Sequence, residues 1–146
     1  MMLRASATLA RSSAAINELA LVRGSMALCY LWFGALKFFP AASPAEGLAA
    51  DTIGVLTFGA IAGRTAVVLL AVLECAIGAG LLIGRRNRVV VYAMLGHMAC
   101  TFAPMVFFPE LTFTDVPFGL TLVGQYIVKN FVFATAALLL LRPKRS

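Results

Sequence analysis

Charge is what this chain has least of. Of its 146 residues only 12% are Asp, Glu, Lys or Arg, and the acids number six. There is one histidine, one tryptophan and three cysteines. These scarcities exclude several chemistries. A single imidazole rules out a paired-histidine haem site and leaves at most one axial ligand. Cys29, Cys75 and Cys100 fall on three separate apolar runs without CxxC or metal-ligand spacing, which argues against thioredoxin-like or zinc chemistry and for small apolar side chains. No iron–sulfur motif, phosphate loop or nucleophile triad is evident.

What is abundant is apolar: 62% of residues are hydrophobic and the mean hydropathy is +0.95. A soluble domain of that composition would aggregate. Hydrophobic runs at about 19–39, 65–83, 89–108 and 119–141 each have roughly the 20 residues that cross a hydrocarbon core about 30 Å thick. The expected fold is therefore an all-α membrane protein, a four-transmembrane-helix bundle. Residues 1–18 form an N-terminal tail, 19–141 a single membrane domain and 142–146 a basic C-terminal tail. The tail is rich in Ala and Ser and resembles an organellar presequence in composition, but a short cytoplasmic segment is the reading adopted here.

The net charge of +6 is distributed as a topology signal, not as a nucleic-acid surface. Arg4 and Arg11 precede the first run, Arg85, Arg86 and Arg88 fill the second connection, and Arg142, Lys144 and Arg145 follow the last. The other two connections hold Glu46, Asp51, Glu110 and Asp115 with Arg64. By the positive-inside rule both termini are cytoplasmic, and basic clusters at membrane ends also meet anionic lipid head groups. Within the first external connection, 53–58 reads as a short interfacial or re-entrant piece.

Arg23, Glu74, His97 and Lys129 each place an ionisable group inside an apolar run, where a charge costs at least a few kcal/mol and usually faces a bundle interior. Depth arithmetic at 1.5 Å per residue brings Glu74, His97 and Lys129 to one level, so Glu74 is expected to pair with Lys129 and His97 to stand beside them. Arg23, Tyr30 and Lys37 recur every seven residues on one face, and Thr121, Gln125 and Lys129 every four, with Tyr126 and Asn130 alongside. His97 and Thr101 are one turn apart. Turned inward, these stripes would line a polar pocket or path; the alternative is a static network holding the helices. Arg23 and Lys37 could equally snorkel. Gly80 and Gly84 make a GxxxG spacing, a close-packing signal.

The run Trp32-x-Gly34-x-Leu36-Lys37-Phe38-x-Pro40, with Glu74-x-x-Ile77-Gly78, Gly96-x-Met98-Ala99 before Pro104, and Gly124-x-x-x-x-Lys129, resembles the YkgB-like inner-membrane proteins, a branch of the wider DoxX-like four-helix group. Some members carry an acid directly after the last-span lysine, where this chain has Asn130. The resemblance implies a small protein of the bacterial inner membrane, acting in oxidative or reactive-chlorine stress close to quinone chemistry. A quinone pocket would draw on Glu74, His97 and Lys129 for its oxygens and on Tyr30, Trp32 and Tyr126 for its ring, since such sites combine apolar walls with few polar groups. Two other classes remain: a proton-coupled transporter or channel using the same residues, and a non-catalytic subunit docking a membrane-protein partner or a second copy.

The topology has a direct test. With single cysteines at Ser43, Asn87 and Ser146 in a cysteine-free background, an impermeant thiol reagent should label Ser43→Cys from outside and the other two only after the membrane is breached. External labelling confined to Asn87→Cys would reverse the orientation.

Overall fold

A computed structural model describes residues 2–83 and 87–141, with side chains from Glu18 onwards. Its elements are α1 (Met2–Leu36), α2 (Glu46–Leu56), α3 (Gly63–Ile83), α4 (Arg88–Thr101), α5 (Pro104–Phe107), α6 (Pro109–Thr112), β1 (Phe113–Asp115), β2 (Gly119–Leu120) and α7 (Leu122–Leu141). Four helical stretches, Glu18–Leu36, Gly63–Ile83, Arg88–Phe107 and Leu122–Leu141, are long and apolar enough to cross a membrane. They mark an integral membrane helix bundle. Gly84, Arg85, Arg86, Arg142, Lys144 and Arg145 lie outside the described residues, as do the side chains of Arg4 and Arg11.

Local chemistry moves several expected boundaries. The first span stops at Leu36 instead of 39, where Lys37, Phe38 and Phe39 donate to the carbonyls three residues back and Pro40 cannot continue the ladder. The third span is broken between Thr101 and Pro104, because proline at the first turn of α5 supplies no N–H. The fourth begins at Leu122, three residues late, since Gly119–Leu120 pairs antiparallel with Phe113–Asp115. A small β-ribbon therefore stands in an otherwise helical chain. Of the short piece expected at 53–58, residues 53–56 are the end of α2, and Thr57 and Phe58 form the turn that follows it. Asn87 caps α4, its Oδ1 accepting from the Val89 N–H at 3.1 Å.

The spans form a ring in the order α1, α3, α4, α7, with α1 against α3 and α4 against α7 as the most intimate pairs. Small residues allow the first of these. A β-carbon on Gly78 would lie 2.7 Å from Leu31 Cγ and 3.1 Å from the Ala27 carbonyl oxygen, and one on Gly34 would lie 3.0 Å from Glu74 Cβ. Backbones approach closely there, as membrane helices do when small residues replace knobs. The interior is filled by Met26, Tyr30, Ile77, Leu81, Met94 and Met98. Leu69, Val72, Leu82, Val132 and Leu138 face outward, the distribution expected where the surrounding solvent is lipid.

One end of the bundle is closed by α2, α6 and the ribbon, here called the cap. Arg64 at the start of α3 pairs with Glu46 at 2.8 Å and donates to the Phe38 carbonyl at 2.6 Å, while Glu46 also accepts from the Ala41 N–H at 2.8 Å. At the other side of the cap, Thr121 Oγ1 donates to the Leu111 carbonyl at 2.7 Å. These bonds tie the loops to the helix ends.

The glycine contacts separate two substitutions that look alike in sequence. Gly78→Ala should lower the unfolding free energy in detergent by about 1–3 kcal/mol, the usual cost of overpacking. Gly96→Ala, where an added methyl meets nothing within 4 Å, should be neutral or stabilise by up to about 1 kcal/mol through helix propensity. Equal effects would place the α1–α3 seam elsewhere.

Candidate functional site

Four ionisable or hydroxylic side chains meet in the bundle interior. Lys37 Nζ lies 2.7 Å from Glu74 Oε2, and both side chains are 8% exposed. The other carboxylate oxygen, Glu74 Oε1, is 3.5 Å from His97 Nε2. His97 Nδ1 is 2.9 Å from the Tyr30 hydroxyl. The result is a series, Lys37–Glu74–His97–Tyr30, running from α1 through α3 and α4 and back to α1, hydrogen-bonded at its two outer steps and joined in the middle by the 3.5 Å electrostatic contact. Its Tyr30–His97 step spans the diagonal of the ring.

Electrostatics orders the series. An ammonium and a carboxylate taken together carry no net charge, which removes the largest part of the penalty that either would suffer alone in a membrane interior. A carboxylate only accepts, so it favours a proton on His97 Nε2. Nδ1 then accepts from the Tyr30 hydroxyl. Packing holds the rings in place: Tyr30 meets His97 edge-on at 5.5 Å between centroids and Phe133 of α7 at 6.4 Å. Lys37 also donates to the Phe33 carbonyl at 3.3 Å. An ammonium has three N–H groups, so these two bonds leave one hydrogen for a further acceptor.

The expected Glu74–Lys129 pair does not form. Lys37 takes that place, and Lys129 is exposed, its Nζ 4.9 Å above the Tyr126 ring. Two assumptions fail. The middle of a hydrophobic run does not fix its depth, because Gly34 packs beside Glu74, so Lys37 one turn later is within reach and is not a snorkelling residue. Azimuth also decides the matter, because Lys129 is about 200° around α7 from buried Ile127 at 100° per residue.

The other expected site residues divide by side. Tyr30 is 5% exposed and central, whereas Trp32 is 64% and Tyr126 59% exposed; the three aromatics do not enclose one interior pocket. Gln125 is likewise exposed, so the Thr121–Gln125–Lys129 stripe turns outward instead of inward. Asn130 is half-buried and donates to Thr101 Oγ1 at 3.0 Å, joining α7 to α4 one turn from His97. Arg23 is half-buried and stands two turns from Tyr30 along α1. The only sequence signal of the Glu46–Arg64 tie is the presence of opposite charges within one connection.

Removing one member of the buried pair should be costly. Glu74→Gln or Lys37→Met alone should destabilise by about 3–5 kcal/mol, and the double substitution by clearly less than the sum. Lys129→Met should show no coupling to Glu74, since the two side chains do not meet. A coupling between Glu74 and Lys129 instead of Lys37, in unfolding titrations of the four corners of each cycle, would contradict this assignment.

No family model, curated protein or solved structure matches this chain.

Proposed function

We propose that the Lys37–Glu74–His97–Tyr30 series is a proton-exchanging ligand site in an integral protein of the bacterial inner membrane, and that the ligand is a quinone. The observation that carries this reading is an imidazole held between a carboxylate and a phenol inside the bundle. The Lys37 and Glu74 charges cancel at rest, so a proton taken up by Glu74 or His97 leaves one positive charge on the series until it is passed on, and an ionisable set inside a membrane domain is a functional hypothesis by default. The fit to a quinone rests on Lys37, whose remaining N–H can donate to a carbonyl oxygen. A bound quinone supplies two-electron, two-proton redox chemistry. The protein's part is to orient a carbonyl at Lys37 and to hold the proton between Glu74 and His97. The resemblance to YkgB-like and DoxX-like proteins points the same way, towards protection against oxidants or reactive chlorine.

A second reading, a non-catalytic subunit with a structural polar core, draws on a different observation. Among the described residues, every buried side-chain nitrogen and oxygen has a hydrogen-bond partner. Buried polar atoms that each have at least one partner can serve packing alone.

His97→Gln separates the two, because glutamine keeps hydrogen bonding but cannot be protonated at physiological pH. In lipid nanodiscs, ubiquinone and menaquinone should bind the unmodified protein, and His97→Gln, which leaves the Lys37 donor in place, should keep that binding while losing proton exchange. Cells carrying His97→Gln should lose survival under hypochlorite with normal protein abundance. Unchanged proton exchange and survival would leave the structural core as the function of the series.

A further inference from the structure

The helix α7 presents a face that the bundle does not use. Leu122, Gln125, Tyr126, Lys129 and Val132 are all exposed and follow the three- and four-residue spacing of one helix side. Lys129 lies seven residues inside the span, about 10 Å from its cap end at 1.5 Å per residue, against a half-thickness of about 15 Å for the hydrocarbon core. Its ammonium bends back over Tyr126, but Tyr126 itself is four residues inside the span. An aromatic face attracts a cation without neutralising it. Among the described residues, the exposed Lys129 ammonium at this depth has no opposite charge, and the exposed Gln125 amide one turn nearer the cap end has no side-chain hydrogen bond, although membrane interiors demand both.

A second copy of this chain cannot supply that charge. Of its six acids, Glu74 is buried and paired with Lys37, Glu18 begins the first span at the opposite end from the cap, and Glu46, Asp51, Glu110 and Asp115 belong to the cap. Two copies joined along this face would also set Lys129 against Lys129. We propose that the Gln125–Tyr126–Lys129 face of α7 docks a transmembrane helix of a different membrane protein, one that carries an aspartate or glutamate at the depth of Lys129. Tyr126 packs on that helix and Gln125 bonds to a polar group one turn from its acid, while Lys129 closes a lateral ion pair in lipid. Polar side chains are common means of specifying helix partners where apolar surface gives no preference.

The test uses the full chain in lipid bilayers and defined helices as probes. Two leucine-rich transmembrane peptides are compared, one with a single aspartate eight residues from its end and one with leucine there. Energy transfer should show the aspartate peptide binding at least about tenfold more tightly than the leucine peptide. Lys129→Met should abolish the difference, and Lys129→Arg should keep it. Equal binding of both peptides, or an aspartate preference that survives Lys129→Met, would overturn the proposal. So would transfer between differently labelled copies of the chain that depends on Lys129, which would make the face a self-interface. Retention of anionic phospholipid that depends on Lys129, without any aspartate preference, would assign it to lipid phosphate and overturn the proposal as well.

Discussion

The buried ion pair between Lys37 and Glu74 is the constraint on which the rest of the bundle depends. Neither charge is tolerable alone inside an apolar span, and each fixes the depth of the other's helix. Glu74 sits at the centre of α3, so α1 must bring its C-terminal turn to that level. It does so because Gly34 and Gly78 let the two backbones close. Once α1 and α3 are set in register, Tyr30 is carried to the middle of the ring, where His97 on α4 meets it. Pairing, close approach and the diagonal bond are thus one arrangement.

That arrangement also explains the cap. An α1 that ends at Leu36 stops well before the α3 partner does, since α3 runs on towards Gly63. The connection from 37 to 62 must cover the difference. It folds as a turn and the short helix α2, anchored by Arg64 to Glu46 and to the Phe38 carbonyl. Arg64 bonds to the residue next to Lys37, so the exposed ion pair and the buried one brace the same turn.

The sequence made the spans legible because about 20 apolar residues have few other uses, and it made Glu74, His97 and Tyr30 legible because polar groups are rare inside such runs. Seven-residue spacing put Tyr30 and Lys37 on one face, and they share the interior. Lys129 was misplaced for two physical reasons. Hydrophobic runs reveal length but not the register of one helix against another, which here is set by two glycines. They also reveal which residues share a face but not which face turns inward, and on α7 the polar stripe turns away from the core. The pairing of Gly119–Leu120 with Phe113–Asp115 was hidden for a similar reason: cross-strand partners leave no periodic mark in five residues.

The central claim is that Lys37, and not Lys129, neutralises Glu74. Lys37, Lys129 and Lys144 are the chain's lysines, so magic-angle-spinning NMR on protein in lipid, labelled with 15N at lysine Nζ and 13C at glutamate Cδ, reads the pairing directly. Dipolar dephasing should show one lysine within about 4 Å of a carboxylate carbon, as a direct ammonium–carboxylate contact requires. That signal should disappear in Lys37→Met and persist in Lys129→Met. Dephasing that disappears with Lys129 and survives loss of Lys37 would contradict the account.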